Sequence, residues 1–478
     1  MVFPIAGGTQ STGYEISNSL RFNDADSPTL QFTPSSAGNE KTWTVSFWVK
    51  RGVVTTSSAQ MIFCADTNYD EYVFGRFCGT ENTNKEDEFQ VVLTEPNGRQ
   101  ANVTTTRKFR DPAAWYHIVV RCDTTQSTST DRLRVYVNGS QETSLRDNSQ
   151  LNQNDDNINW NSNVPQAIGH QKQASTVERH LDGYLSEFYN IDGTSLGPDS
   201  FGKFNDNGVW IPIQYTGSFG TNGYFLEFKQ TGTSANSSGM GADTSGNDHH
   251  WTPANLASTD QTTDTCTNNF CTFSSIAFGG GGLTDYTARL AEGNLVGDTT
   301  ANTDDFTYLS TFPTNMPFYF EVKFEDVHGS GNDQRVGIVR VEKSSQGGSH
   351  AEAHYRRDGT IQSLNAAGNT VATTQTSKEV ITDNDIIGIA ADNTTNNNVK
   401  FYHNGSLQGT IDIVSTETYM PFIRLYGDTS TTRASANFGN PAFAISSGNA
   451  DANGYGNFEY AVPSGYYALC TKNLAEYG

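Results

Sequence analysis

The chain has 478 residues, of which 30 are basic and 52 acidic, giving a net charge of −22 at pH 7. No basic cluster is longer than a dipeptide, which argues against a nucleic-acid partner because phosphate contacts need concentrated Lys and Arg. No run of about 18 apolar residues occurs, so no membrane insertion is expected. The N-terminal MVFPIAGGTQST lacks the basic start and apolar core of a secretory signal, which predicts synthesis in the cytoplasm without a signal peptide.

The composition indicates many short strands joined by turns. Hydrophobic residues make up 35% of the chain and charged residues only 17%, so Ser, Thr, Asn and 45 glycines supply much of the polar surface. The length is sufficient for two or three domains that each bury a core.

Two stretches share one strand-and-turn pattern. Residues 115–140 read WYHIVVRCDTTQSTSTDRLRVYVNGS, in which apolar residues alternate, a polar loop follows, and a second alternating strand ends at Asn138-Gly139. Residues 386–406, IIGIAADNTTNNNVKFYHNGS, repeat the order and end at Asn404-Gly405. Asn-Gly accepts the positive φ angles of a type I′ turn. The pattern predicts paired antiparallel strands and two β domains.

The first part of the chain predicts an arm followed by a sheet. Residues 1–13 have no periodicity and are expected to form a flexible N-terminal arm. The strand Thr42 to Lys50 places Trp43, Val45, Phe47 and Val49 on one face and Trp48 on the other. Large apolar side chains on both faces predict a central strand.

Five motifs occur in a recognisable order in the first part of the chain. TWTVSFWVKR, WYHIVVR, LRVYVNGS with AIGH, and LDGYLSEFYNIDG fall within residues 14–195. This series resembles the LamG or concanavalin A-like jelly roll. The resemblance implies two packed antiparallel sheets over residues 14–195.

Residues 196–283 are dense in turn residues and are interpreted as a connecting region. A stretch this long without regular structure is unusual within a compact domain, so it is expected to pack on a neighbouring domain. The four glycines Gly279 to Gly282 predict a hinge within it.

The second β domain is predicted over residues 284–445. FYFEVKFE, VGIVRVE, DIIGIAADNTTNNNVKFYHNGSLQGTI, MPFIRLYG and ANFGNPAF resemble the SPRY domain, which is also a β-sandwich. Residues 446–478 then form an aromatic C-terminal tail. The expected fold class is therefore all-β, with two antiparallel sandwiches and a loop-rich connecting region.

The whole chain resembles large virion-associated proteins of marine bacteriophages, through its LamG-then-SPRY order, its NNFCTF segment and its aromatic tail. The resemblance implies a virion-surface location, as a tail fibre, appendage or capsid component. It also implies other virion proteins and host-surface glycans as partners, and a homo-oligomer that by analogy would be a trimer.

Paired carboxylates are relevant because concanavalin A-like sandwiches include glucanases. The nearest matches are Glu86-Asp87-Glu88, at a predicted loop-to-strand boundary, and Glu321, Lys323 and Glu325 at alternate positions. Lys323 would lower the pKa of a prospective acid beside it. A charged solvent face of a half-exposed strand explains the second group better, so no catalytic residue is predicted.

Calcium is the more credible ion, because LamG-like sandwiches often hold it in rim loops and it prefers six to eight oxygen ligands. The loop NQNDDNIN offers Asn154, Asp155 and Asp156. Asn and Asp also concentrate in turns for conformational reasons alone, so calcium stays an open alternative. The pair His249-His250 is interpreted as a packed loop, not a zinc site.

Glycan binding needs aromatic rings beside hydrogen-bonding groups, since a sugar has an apolar face and a polar edge. The candidates for such a site are Tyr69, Tyr72, Trp160, His354, Tyr355 and Arg356. The competing interpretation for each residue is that it covers the core. The loop rims near 66–72 and 152–160 are predicted to face outward or a partner.

The six cysteines match no zinc spacing. Cys266 and Cys271 could close a small loop under oxidising conditions, but buried free thiols are favoured.

Three functions remain open. The favoured one is a non-enzymatic virion structural protein that mediates adhesion to host glycans or to other virion proteins. The alternatives are a glycan-degrading enzyme on the concanavalin A-like sandwich and a cellular adhesion or scaffold protein whose SPRY-like domain binds a peptide.

Overall fold

The structure is a computed structural model, and the residues that it describes cover most of the chain. They are 13–68, 71–95, 98, 100–156, 158–173, 176–278, 289–299, 305–328, 334–341, 352–365, 369–415, 417–427 and 430–478. The predicted arm, except residue 13, and the predicted hinge at 279–282 lie outside these ranges.

Among the described residues the chain divides into two units, 13–267 and 268–478. Both are built of antiparallel sheets, so the predicted all-β class is confirmed. The α-helix of the described residues, α1, spans Thr471–Tyr477, and short 3₁₀ turns lie at Asp24–Asp26, Ser129–Asp131, Pro198–Ser200 and Ser258–Asp260. No helix in this part of the chain is long and apolar enough to cross a membrane.

The strands of the first unit are β1 Ser19–Phe22, β2 Thr29–Phe32, β3 Thr42–Arg51, β4 Gln60–Asn68, β5 Glu71–Phe77, β6 Glu88–Thr94, β7 Gln100–Lys108, β8 Trp115–Asp123, β9 Leu133–Val137, β10 Ser140–Gln141, β11 Leu145–Ser149, β12 Gln166–Ile168, β13 Gln171–Gln173, β14 Thr176–Glu178, β15 Gly183–Asp192, β16 Gly202–Phe204, β17 Trp210–Pro212, β18 Tyr224–Leu226, β19 Thr252–Ala254 and β20 Gln261–Thr262.

Two eight-stranded sheets of the first unit form a sandwich. The front sheet has the order β10-β9-β8-β3-β15-β1-β20, with β18 also paired to β15, and the back sheet has the order β11-β7-β6-β5-β4-β12-β2-β19. Strand β3 lies between β8 and β15, which confirms its predicted central position.

The core of this sandwich comes from alternate residues of the two sheets. Trp43, Val45, Phe47 and Val49 of β3 are all 0% exposed and pack with residues of the back sheet such as Phe89. Trp48 points to the other side of the front sheet, where it packs in a separate cluster. The predicted division of faces is therefore confirmed.

The strands of the second unit are β21 Phe273–Phe278, β22 Leu290–Ala291, β23 Val296–Asp298, β24 Asp305–Ser310, β25 Phe318–Asp326, β26 Arg335–Arg340, β27 Glu352–Arg356, β28 Ile361–Ser363, β29 Ile386–Asp392, β30 Asn398–His403, β31 Ser406–Asp412, β32 Tyr419–Tyr426, β33 Arg433–Asn437 and β34 Tyr467–Ala468.

The second unit repeats the strand order of the first. One sheet runs β31-β30-β29-β25-β33-β23, which corresponds to β10-β9-β8-β3-β15-β1, with β22 and β34 added. The other runs β28-β27-β26-β32-β24, which corresponds to β6-β5-β4-β12-β2, with β21 added. Both units are thus jelly-roll sandwiches with the same strand connectivity.

The two repeated sequence stretches occupy equivalent places in this order. Strand β8 pairs with β9 and β29 pairs with β30, both antiparallel. Asn138 and Asn404 both have φ 46°, and the glycine after each has φ 79°, as a type I′ turn requires. The predicted hairpins and turns are confirmed.

The sequence predicted that residues 196–283 form a connecting region that packs on a neighbouring domain. In the structure, residues 196–267 belong to the first unit and pack on its sheets. Strands β18, β19 and β20 extend its two sheets because their backbone groups complete existing ladders. The C-terminal tail likewise joins the second unit, where β34 pairs in parallel with β25.

All six cysteines are free thiols, and all but Cys266 are fully buried.

Candidate functional site

The outward side of the back sheet in the first unit carries the candidate site. In β5, Val73 and Phe77 are 0% exposed in the core, and a Cβ on Gly75 would meet the Phe63 ring at 2.2 Å. Because side chains alternate along a strand, Tyr72, Phe74 and Arg76 therefore share the opposite face. We call this surface, continued over β6 and β7, the back face.

An aromatic pair forms one part of the back face. The rings of Tyr72 and Phe74 stack with centroids 5.4 Å apart and planes 11° from parallel. The Arg76 guanidinium lies 4.6 Å from the centroid of Phe74. Tyr72 is half-buried and Phe74 is 8% exposed, so Tyr72 presents most of the accessible ring surface.

A row of polar side chains crosses the strands beside these rings. Arg76 Nε donates to Gln90 Oε1 at 2.9 Å, and Gln90 Nε2 donates to Asn102 Oδ1 at 3.1 Å. Gln100 Nε2 donates to Tyr72 Oη and to Thr94 Oγ1, each at 3.1 Å. These bonds fix the amides in place next to the aromatic pair.

Two ion pairs lie near the Arg76 and Cys78 end of the back face. Lys85 Nζ lies 2.6 Å from Asp147 Oδ2, and Arg179 Nε lies 3.2 Å from Glu81 Oε1. In both pairs the cation lies beside a carboxylate.

The structure brings one predicted glycan residue of the first domain, Tyr72, onto the back face. Tyr69 lies outside the described residues. Trp160 is 0% exposed between the two sheets, and its Nε1 donates to Asn190 Oδ1 at 3.0 Å. A ring enclosed on all sides presents no face to a sugar, so Trp160 is a core residue.

The predicted residues of the second domain lie on β27, which corresponds to β5 in the strand order. His354 and Tyr355 are both 0% exposed: His354 Nδ1 lies 3.0 Å from Glu352 Oε1, and Tyr355 Oη donates to Glu379 O at 2.6 Å. Their burial excludes direct stacking on a ligand in this conformation. Arg356 is half-buried, 3.6 Å from Asp358.

In the loop predicted to bind calcium, the Asp carboxylates contact protein groups. Asp155 Oδ2 accepts from Asn152 N at 2.6 Å, and Asp156 lies 3.1 Å from Lys41 Nζ. Asn154 has φ 66°, the left-handed geometry that Asn tolerates in a turn. Across the described residues, no group of three or more His, Cys, Asp or Glu could hold a metal ion. Calcium binding here stays a prediction.

The carboxylates around the start of β6 are held by cations. Glu86 accepts from Lys108 at 2.6 Å, and this hydrogen bond lowers the pKa of Glu86 below its ordinary value. Glu88 accepts from Arg146 Nε at 2.6 Å. A general acid needs a raised pKa, so Glu86 is poorly suited to that role.

The sequence predicted that Glu321 lies on a solvent face of β25, and this prediction is wrong. Glu321 is 0% exposed and accepts hydrogen bonds from Tyr319 Oη, Asn437 Nδ2 and the backbone amides of Glu459 and Tyr460. Burial raises the pKa of its carboxyl. The C-terminal tail covers this residue, which alternation along one strand could not reveal.

Sequence reasoning missed Phe74, Arg76, Gln90 and Asn102. The signal for the first two was present in EYVFGRF, where alternation with Val73 and Phe77 places them beside Tyr72. Gln90 and Asn102 required the pairing of β5 with β6 and of β6 with β7, in which Arg76 faces Gln90 and Val92 faces Asn102.

Comparison with known proteins identifies the first sandwich. Residues 24–194 match the model of the Laminin_G_3 family, described as the concanavalin A-like lectin/glucanases superfamily. The first unit therefore contains a LamG/concanavalin A-like domain, as the sequence motifs indicated. No curated protein matches the chain.

Solved structures show distant likenesses. Domains LG4-5 of the mouse laminin alpha1 chain are 10% identical, with 97% of this chain and 89% of that chain covered and a TM-score of 0.29. The SPRY domain of human HERC1 is 13% identical, with 30% of this chain and 87% of that chain covered and a TM-score of 0.24. The carbohydrate binding module CBM66 from Bacillus subtilis is 14% identical, with 29% of this chain and 97% of that chain covered and a TM-score of 0.21. Scores this low support no argument about function.

Proposed function

We propose that the protein is a non-enzymatic adhesion protein whose LamG-like sandwich binds glycans on its back face. The observation that carries the proposal is the stacked Tyr72–Phe74 pair beside the fixed amides of Gln90, Gln100 and Asn102. A sugar ring has an apolar face for the aromatic pair and hydroxyl groups for the amides. The superfamily match of residues 24–194 to lectins and glucanases is consistent with this use of the fold.

Binding to an array of immobilised polysaccharides tests the proposal. Tyr72→Ala should weaken the strongest signal about tenfold, the loss expected for one aromatic contact, and Gln100→Ala should weaken it as well. Phe204→Ala is the matched control, because Phe204 is a 54% exposed ring on β16 of the same unit, outside the back face. Equal binding by the wild type and the Tyr72 and Gln100 variants, on every glycan, would contradict the back face as the site.

The finer proposal is that this adhesion takes place on a bacteriophage virion, with host-surface glycans and other virion proteins as partners. Its support is the sequence resemblance of the domain order and aromatic tail to virion proteins of marine phages. Mass spectrometry of purified particles and labelling of intact particles with an antibody against the first unit test it. Absence of the protein from particles, together with its presence on cells, would favour a cellular adhesion protein instead.

A further inference from the structure

Arg76 is a half-buried cation that has no carboxylate partner among the residues that the structure describes. Its Nε donates to Gln90 Oε1 and its guanidinium lies over the Phe74 ring. Among the described residues no Asp or Glu forms an ion pair with it, whereas Arg51, Arg146 and Arg179 each have a carboxylate within 3.2 Å.

The groups around Arg76 do not neutralise it. Burial raises the pKa of the nearby Cys78 thiol to about 11, so this side chain carries no charge at neutral pH. The charge of Glu81 also acts on Arg76, but this carboxylate accepts a hydrogen bond from Arg179. Among the side chains that the structure describes, the back face therefore carries one positive charge without a carboxylate bound to it.

The partial burial of the Arg76 charge is energetically unfavourable, and an anionic ligand would offset this penalty. Burial disfavours the charged guanidinium and lowers the pKa of Arg76. A guanidinium presents two terminal NH₂ groups in a planar fork that matches a carboxylate or sulfate, and such charge-assisted bonds are among the strongest in proteins. The terminal NH₂ groups of Arg76 have no partner in the described part of the chain, since its hydrogen bond to Gln90 uses Nε.

We propose that the back face selects acidic glycans, with Arg76 binding a carboxylate or sulfate group of a sugar whose ring lies on Tyr72. The proposal rests on the proposed glycan-binding function and adds the charge of the ligand. The net charge of −22 does not prevent this contact, because ionic screening confines electrostatic effects to about 8 Å at physiological salt. The selection is a property of the local site and not of the whole surface.

Calorimetric titration of the full chain with three probes tests the charge selection: a polygalacturonate, a sulfated galactan and a neutral galactan. The wild type should bind at least one acidic polymer about ten- to a hundredfold more tightly than the neutral one, the range of a charged hydrogen-bond pair. Preference for only one acidic polymer would support the proposal and identify carboxylate or sulfate as the group bound.

Arg76→Gln should reduce the ratio of acidic to neutral affinity to about one. This ratio is the quantity measured, because Arg76 also donates to Gln90 and its loss affects the binding of both polymers. Arg76→Lys, which keeps the charge but loses the planar fork, should retain an intermediate preference. Arg433→Gln is the control, because it removes an equal charge from the second unit. Circular dichroism and thermal unfolding establish that each variant is folded.

The outcomes separate the two proposals. Equal affinity of the wild type for acidic and neutral polymers, with Tyr72→Ala still weakening both, would overturn charge selection and leave glycan binding intact. Unchanged acidic preference in folded Arg76→Gln would also overturn it. No binding to any polymer by the wild type would overturn both.

Discussion

The indole ring of Trp210 lies against Gly139, and a Cβ on this glycine would approach the ring to 2.3 Å. In the second unit Tyr460 lies against Gly405, where a Cβ would approach its ring to 2.6 Å. Both glycines are the second residue of the Asn-Gly turn that follows equivalent strands. In each sandwich, therefore, the segment after the last jelly-roll strand packs an aromatic ring on the same turn.

Trp210 is also held by a hydrogen-bond chain that leads into the buried His117 and Ser46. Its Nε1 donates to His117 Nδ1 at 3.0 Å, and His117 Nε2 lies 2.8 Å from Ser46 Oγ. Burial lowers the pKa of His117 to about 3, so the ring is neutral at physiological pH. Since Nδ1 accepts from Trp210, Nε2 carries the proton and donates to Ser46.

Substitution of Gly139 tests the packing of Trp210. Gly139→Ala should lower the free energy of unfolding by about 2–4 kcal/mol, because the new methyl group strains a φ of 79° and also collides with the ring. Gly208→Ala separates the two effects, since Gly208 has φ 73° and a Cβ added there would have no atom within 4 Å. Gly208→Ala should lower the free energy of unfolding by about 1 kcal/mol. Equal losses in urea unfolding would contradict the steric role of Trp210.

Local alternation and turn chemistry predicted much of the fold. The assignment of Trp43 and Phe47 to the core needed only the period of two, and the turn at Asn138 needed only the φ preference of Asn-Gly. Both are short-range properties, which a single sequence displays directly.

Burial by distant segments could not be predicted in the same way. Glu321 occupies a position that alternation assigns to solvent, yet the amides of Glu459 and Tyr460, 138 and 139 residues away, cover it. For His354 and Trp160 the sequence left glycan binding and core packing open, and both side chains are 0% exposed. The polar row at Arg76 depends on strand register, which pattern alone does not specify.

Glu321 should anchor the C-terminal tail to the second sandwich. Glu321→Ala leaves four donors without their acceptor and should cost about 3–5 kcal/mol, because each buried donor loses its partner. It should also increase proteolysis within residues 446–478. Glu325→Ala, which removes a partly exposed carboxylate paired with Arg433, should cost about 1 kcal/mol or less. Similar losses for the two variants would contradict the anchoring role.

Glu187 should make the stability of the first unit depend on pH. It is 5% exposed, has φ 50° within a bulge of β15, and accepts hydrogen bonds from Tyr14 Oη at 2.7 Å and from Tyr189 Oη. Burial raises the pKa of its carboxyl to about 7. The folded state therefore favours the protonated form.

The sign of the effect follows from this raised pKa. Stability from Glu187 is fully present below its ordinary value near 4.5 and is lost as pH rises toward 7. Glu187→Gln, which remains neutral, should gain stability relative to the wild type between pH 5 and pH 8, by up to about 3 kcal/mol. Thermal unfolding across this range measures the difference. Parallel pH profiles for the two proteins would show that Glu187 ionises normally.

Asp87 and Arg51 form an ion pair in which both side chains are 0% exposed, with Oδ1 and Nη1 2.9 Å apart. Asp87 also accepts from Thr55 N at 2.7 Å and from Arg110 Nε at 2.6 Å. Although burial acts to raise its pKa, the charges of Arg51 and Arg110 hold the pKa of Asp87 below its ordinary value. The stability that it contributes is present at neutral pH and is lost as pH falls below the ordinary Asp range.

Asp87→Asn should therefore lower the free energy of unfolding at pH 7 by about 3–5 kcal/mol, because it removes the carboxylate that forms an ion pair with the buried Arg51. Asp147→Asn is the matched control: Asp147 is paired with Lys85 but 30% exposed, so its loss should cost at most about 1 kcal/mol. The difference between the wild type and Asp87→Asn should shrink in urea unfolding at pH 3, where Asp87 of the unfolded wild type takes up a proton that the folded state disfavours. A difference that stays constant from pH 7 to pH 3 would mean that Asp87 stabilises the unit through its shape and hydrogen bonds and not through its charge.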